Sequence, residues 1–161
     1  MRNDLSAEQL RQEVTVTLPL SAVLRLAELE APRTVPIAMP EGFAALPAVG
    51  SEWQGGIYAG LSIDEGKVIA LVLLPGEEKL NWEEAKAWAQ KQGGALPSRI
   101  DQLVLFKNVK GEFKDAWYWS GEQYAGNGVF AWYQLFGYGY QNFAPKDFDY
   151  RARAVRRLPI Q

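Results

Sequence analysis

"WYWSGEQYAGNGVFAWYQLFGYGYQNFAPKDFDY", residues Trp117–Tyr150, holds thirteen of the chain's twenty aromatic residues, interleaved with Gly, Asn, Gln and Asp. Whether those rings face inward or outward decides what kind of domain this is. In "FAWYQLF", strand alternation sends Phe130, Trp132, Gln134 and Phe136 one way and Ala131, Tyr133 and Leu135 the other. Trp132 and Phe136, large rings four apart on one face, are expected in the core, and so is Trp119. Tyr133, Tyr138, Tyr140, Asn142, Phe143, Phe148 and Tyr150 instead sit among glycines and polar residues in short turns. A buried Tyr needs a partner for its hydroxyl, which is hard to arrange many times over in one small domain. At least half of these seven are expected to be exposed as one patch, and with Tyr124 and Leu135 they are the expected ligand-binding residues, since a Tyr ring gives large contact area for little side-chain entropy. The competing arrangement is a second small core packed against the N-terminal arm.

Upstream of this stretch the pattern turns helical. In "NWEEAKAWAQKQGG", Asn81 is an N-cap with Glu84 three residues on; Trp82, Ala85, Trp88 and Ala89 share a face, and Gly93 stops the helix. In "LPSRIDQLVLFKNVKG", Ser98 caps with Asp101 at the reciprocal position. Ile100, Leu103 and Val104 are expected to form the buried stripe, with Gly111 at the end. Before the helices, "GGIYAGLSIDEGKVIALVLLP" reads as two β-runs joined through Asp64-Glu65-Gly66. The second run, Val68–Leu74, is apolar enough to be covered on both faces. The order is hairpin, two helices, then antiparallel strands: an α+β domain over residues 50–161.

Residues 31–49 form a connector stiffened by four prolines between Pro32 and Pro47. Residues 1–30 read as a strand–helix arm: Val14, Val16 and Leu18 alternate with threonines, and Pro19 opens a helix carrying Leu20, Val23, Leu24 and Ala27. Such an arm buries little alone, so residues 1–45 are expected to mediate a homo-oligomer or attachment to a larger assembly. The arm resembles the opening of a ribbon-helix-helix DNA-binding unit, but the prolines that follow forbid the second helix.

Composition narrows the chemistry. The chain has 161 residues, is 48% hydrophobic and carries a net charge of −2, with no Cys and no His. Disulfides, thiolate nucleophiles, Cys-based zinc sites, the commonest general base and the commonest transition-metal ligand are all excluded. No catalytic residue, cofactor or metal site is assigned, and a non-enzymatic protein is expected. Asp147 and Asp149 in "DFD" are weak grounds for a cation site. Arg151, Arg153, Val155 and Arg157 fall on one strand face, but pairing with carboxylates such as Asp147 and Asp149 accounts for them better than nucleic acid does. Without a long apolar run or a basic-then-apolar start, the chain reads as soluble, with no membrane span and no signal peptide, virion-associated or cytoplasmic.

Gly55-Gly56-Ile57-Tyr58, Trp82 with Ala85, Leu96-Pro97-Ser98-Arg99, Tyr118-Trp119-Ser120, Ala131-Trp132 with Phe136, Lys146, and Arg153-Ala154-Val155-Arg156 follow one another along residues 50–158. Together they resemble the landmarks of the collagen-like-protein C-terminal (Lcl) domain family, a branch of the C-type-lectin-like fold common in phage and bacterial proteins. Gly121 departs from the second Ser often found after Trp-Ser in that family. The calcium-holding triplets of sugar-binding lectins and the cysteines of formylglycine-generating enzymes are missing. The resemblance implies a scaffold that displays a variable surface, here Ser120–Tyr150, and a phage-derived recognition module for a protein or host-surface ligand. The alternatives are a virion structural or assembly part whose aromatic segment is a homo-oligomer contact, or a small effector binding a host protein.

Overall fold

The structure, a computed structural model, describes residues 46–160, with Pro19 the one described position before them. The chain divides into two units, Met1–Ala38 and Met39–Gln161. The strand–helix arm, most of the connector and the self-association expected of residues 1–45 lie outside the described residues. Among the described residues, no helix is long and apolar enough to cross a membrane.

Among the described residues, nine strands and two α-helices follow in order: β1 (Glu52–Trp53), β2 (Gly56–Asp64), β3 (Lys67–Leu73), β4 (Glu78–Leu80), α1 (Trp82–Lys91), α2 (Arg99–Val109), β5 (Trp117–Gln123), β6 (Phe130–Leu135), β7 (Gln141–Pro145), β8 (Tyr150–Ala152) and β9 (Val155–Pro159). They build a four-stranded sheet, β1-β2-β3-β9, and a five-stranded sheet, β4-β8-β5-β6-β7. All pairings are antiparallel except the short parallel contact of β5 with β8. This is an α+β domain.

Local chemistry accounts for the elements. The β2–β3 hairpin turns at Glu65 and Gly66, both at positive φ, between the paired Asp64 and Lys67; two left-handed central residues match the twist of the flanking strands. Ile69–Leu73 is buried throughout, as its unbroken apolar run requires when both faces are covered. Asn81 caps α1 by accepting the Glu84 N–H. Gly93, at φ +78°, closes the helix: its N–H bonds to Gln90 O and that of Gly94 to Ala89 O, the paired bonds of a left-handed C-terminal cap. Gly60, at φ +113° in the bulge of β2, lies where a Cβ would stand 2.8 Å from the Asn108 side chain, which donates to Ala59 O.

The second helix departs from expectation. Ile100 and Leu103 are exposed and Val104 is half-buried, while α2 buries Asp101, Gln102, Leu105 and Val109. Two polar side chains take the inner positions because each bridges to a sheet. Asp101 Oδ2 accepts from Ser98 N (2.9 Å) and from Arg157 Nε (2.9 Å) and Nη2, and its Oδ1 accepts from Ser62 Oγ. Gln102 donates to Tyr118 O at 3.0 Å and its carbonyl accepts from Gln134. The helix then continues past Gly111 as a 3-10 turn, Lys110–Glu112.

The expected single C-terminal strand is split: β8 ends at Ala152 in one sheet and β9 begins at Val155 in the other. The arginines do find acceptors, but not Asp147 or Asp149. Arg151 pairs with Glu77 and Arg157 with Asp101. Arg153 donates to Glu112 O and Leu74 O, and Arg156 to Gly93 O and Gln54 O.

Removing one member of a buried, hydrogen-bonded ion pair leaves the other desolvated and alone, at a cost of about 3 kcal/mol. Asp101→Asn is therefore expected to lower unfolding free energy by about that much, read as a fall in the urea midpoint at constant m-value. A change below about 1 kcal/mol would show that α2 is held by apolar packing instead.

Candidate functional site

The five-stranded sheet carries the aromatic segment, and its register sorts the rings. Trp117 pairs with Leu135 and Trp119 with Tyr133; Tyr133 pairs with Asn142 and Trp132 with Phe143. Paired residues share a face and neighbours in sequence do not. Leu135, Tyr133, Trp117 and Trp119 therefore lie on one face, Trp132 and Phe143 on the other. The patch expected to be single is divided between two faces of one sheet.

On the first face, α1 packs through Trp82, Ala85 and Ala89 into the cluster that holds Trp119, Ala131, Tyr133, Ala144 and Tyr150. Tyr133 and Tyr150, expected at the surface, are each only 8% exposed. Their burial is explained by ring contacts with Trp117 and with one another at 5.0–5.9 Å between centroids, and by Trp119 at 4.6 Å from Tyr150. Tyr140, from the same segment, is the neighbouring group that acts on the Tyr133 phenol. Burial, and then the charge and hydrogen bond of Tyr140, push the Tyr133 phenol up. Burial likewise raises Tyr150. Tyr140 and Phe148 remain half open at 49% each, and Trp117 at 44%. Beside them lies a depression of about 460 Å³ lined by Lys79, Trp117, Leu135, Asp149, Tyr150 and Arg151.

On the second face, Tyr124 stacks on Phe143 with centroids 4.0 Å apart and planes 8° from parallel. Trp132 meets both edge-on at 5.5–5.7 Å, and Phe130 meets Phe143. Trp132, expected in the core, is half-buried. Its strand carries it to the N-terminal end of α2, where the Arg99 guanidinium, not an apolar side chain, covers it at 3.7 Å. Phe136 and Trp119 are fully buried as expected.

Of the remaining expected site residues, Tyr138 projects from the β6–β7 turn at 84% exposure and Phe143 is 37% exposed. Asn142 is exposed; Tyr124 and Leu135 are half-buried. Sequence reasoning missed two members. Trp117 carried a signal, lying two residues from Trp119 on a strand. Arg99 carried none, because nothing in "LPSRID" tells where a guanidinium lies.

Glu77 pairs with Arg151, one of the residues lining the depression. Its carboxylate accepts from Lys114 Nζ at 2.9 Å, from Arg151 Nη1 and from the Tyr118 hydroxyl. Burial would raise its pKa, but the hydrogen bonds from Tyr118 and Lys114 and the charges of Arg151 and Lys114 outweigh it and hold Glu77 below its ordinary value. Burial, then the bond to Glu77, pushes the Tyr118 phenol up to about 12.

No protein-family model and no curated protein matches the sequence.

The two shifts set opposite edges of stability. A depressed carboxylate contributes stability above its unfolded pKa, here 4.5, and loses it as pH falls through the lower folded value. A raised phenol contributes fully below 10.0, and its share is lost as pH climbs towards about 12. Glu77→Gln is expected to cost about 2 kcal/mol at pH 7 and to flatten the acid limb of a stability–pH curve. An unchanged acid limb would remove Glu77 from this role.

Proposed function

We propose that the domain is a non-enzymatic recognition module that presents aromatic side chains of the segment Ser120–Tyr150, with Trp117 beside them, to a protein or host-surface ligand. The observation that carries this reading is the division of labour among rings on one sheet. Tyr118, Trp119 and Phe136 are buried to within 1% exposure, whereas Tyr138, Tyr140, Phe143 and Phe148 stand open in the turns and strand beside them. Burying a ring of this size contributes roughly 2–3 kcal/mol to folding, and a ring left in water contributes little of that. The open rings are thus the ones the fold can spare, and grouped exposed aromatics favour binding.

The order of hairpin, two helices and strands is the order the Lcl resemblance implies, which supports a C-type-lectin-like assignment and, through it, a phage-derived protein. A virion or assembly part differs in one respect: its open rings would be covered by a second copy.

Hydroxyl-radical footprinting of the full chain separates these readings. Fast oxidation is expected at Tyr138, intermediate oxidation at Tyr140, Phe143 and Phe148, and protection at Trp119 and Phe136. Protection of the first four that vanishes on dilution would favour the assembly reading. For recognition itself, a random-peptide library should enrich on the immobilised protein and lose its enrichment on the double variant Tyr138→Ser/Phe148→Ser at an unchanged melting temperature. Equal enrichment on both proteins would sink the assignment of this surface.

A further inference from the structure

Arg99 is the first residue of α2, and three residues fix it. Its backbone N–H donates to Glu122 Oε1 at 2.7 Å. Its guanidinium lies over the Trp132 ring at 3.7 Å. Its Nε donates to Gln141 Oε1 at 3.1 Å, while Gln141 Nε2 returns a bond to Arg99 O at 2.7 Å and another to Gln134 Oε1 at 3.0 Å. Gln134 is fully buried and donates to Gln102 O. The guanidinium plane is therefore anchored through Gln141 and Gln134 to the interior of the domain.

This arrangement holds the inner edge of the guanidinium and leaves its outer fork. Among the described residues, the two terminal nitrogens have no hydrogen-bond partner, and no carboxylate lies within ion-pair distance of them. Arg151 and Arg157, by contrast, each meet a carboxylate, Glu77 and Asp101. The guanidinium lies over the Trp132 ring, which in turn meets Tyr124 and Phe143 edge-on. A planar cation whose stem is already ordered loses little entropy when its fork accepts a planar anion, and the fork matches a carboxylate bidentately.

Resting on the recognition reading above, we propose that Arg99 is the specificity-determining residue of the second face, and that this face binds a peptide segment in which an acidic side chain is followed by an aromatic or apolar one. The carboxylate takes the two terminal nitrogens of Arg99. The neighbouring side chain packs on the edge of the Tyr124–Phe143 stack. A nucleic-acid strand would also offer anions and rings, but the chain's net charge of −2 and the Glu122 carboxylate at the same helix end disfavour a polyanion. A single carboxylate meets far less of that repulsion than a polyanion does.

The test uses the ¹⁵N-labelled full chain and three soluble probes: acetyl-Asp-Tyr-amide, acetyl-Asn-Tyr-amide and a short oligothymidine. The Nε–H resonance of Arg99 and the indole N–H of Trp132 are the reporters. The Asp peptide is expected to shift both and to bind about fivefold more tightly than its Asn counterpart, the difference between a charge-assisted and a neutral hydrogen bond. Arg99→Lys keeps the charge but loses the stacked fork, and should remove most of that fivefold preference; Arg99→Gln should remove all of it. Gln141→Met serves as a positioning variant: it frees Nε without touching the charge, and should reduce the preference while weak binding of both peptides persists. Equal binding of the Asp and Asn peptides, or tighter binding of the oligonucleotide, would overturn the proposal. Peptide shifts at Tyr138 and Tyr140 without any at Arg99 would leave the recognition reading standing and the Arg99 assignment refuted.

Discussion

The arrangement depends on one buried carboxylate. Asp101 is fully buried, and a carboxylate removed from water costs several kcal/mol unless its oxygens are filled by donors. Here the donors come from three places: the helix's own N-cap, Ser62 on β2 and Arg157 on β9. Each is short and directional, so α2 cannot rotate or slide over the first sheet without opening at least one of them. An apolar stripe at the same place would tolerate small slips, because hydrophobic burial has no preferred direction. With the inner positions given to Asp101 and Gln102, Ile100 and Leu103 are left outside.

The same logic extends to the second sheet through glutamines. Gln102 donates to the Tyr118 carbonyl, Gln134 to the Gln102 carbonyl, Gln141 to the Gln134 side chain, and Arg99 to the Gln141 side chain. The side-chain amides of Gln134 and Gln141 each donate and accept, while Gln102 donates through its side chain and accepts through its backbone carbonyl, which lets the series cross from a fully buried helix position to the surface. Such a network is stable only when its members are satisfied. One atom in it, Gln102 Oε1, is buried without a partner among the described residues. The fold therefore spends some stability at the point where helix and sheet are registered.

How far this could be read from sequence follows from which forces are periodic. The hairpin turn, both N-caps and the Gly93 stop were legible because capping and turn chemistry are local and need only a few residues of context. The buried face of α1 was legible because it is apolar. The buried face of α2 was not, since Asp101 and Gln102 are inside only by virtue of partners 16 to 56 residues away in sequence, Tyr118 and Arg157 among them. The break between Ala152 and Val155 was hidden for the same reason: "RARAV" alternates as one strand would, and only the presence of two sheets sends its halves apart.

Within the aromatic segment, the alternation in β6 was read correctly and its consequence was not. Adjacent Trp132 and Tyr133 must point to opposite faces of any strand, so a ring-rich strand necessarily makes two aromatic surfaces rather than one. Which of them is covered depends on where the helices sit. Here α1 takes the Tyr133 face, and the Trp132 face ends beneath an arginine. The residues least constrained by either surface are those in the turns. A ring left 84% exposed, as Tyr138 is, gains almost nothing from burial. Substitution at Tyr138 is consequently limited by what the ring touches outside the domain, whereas substitution at Trp119 or Phe136 is limited by the fold. The segment Ser120–Tyr150 thus contains both kinds of position in close succession, which is the physical requirement for a surface that can change while its scaffold does not.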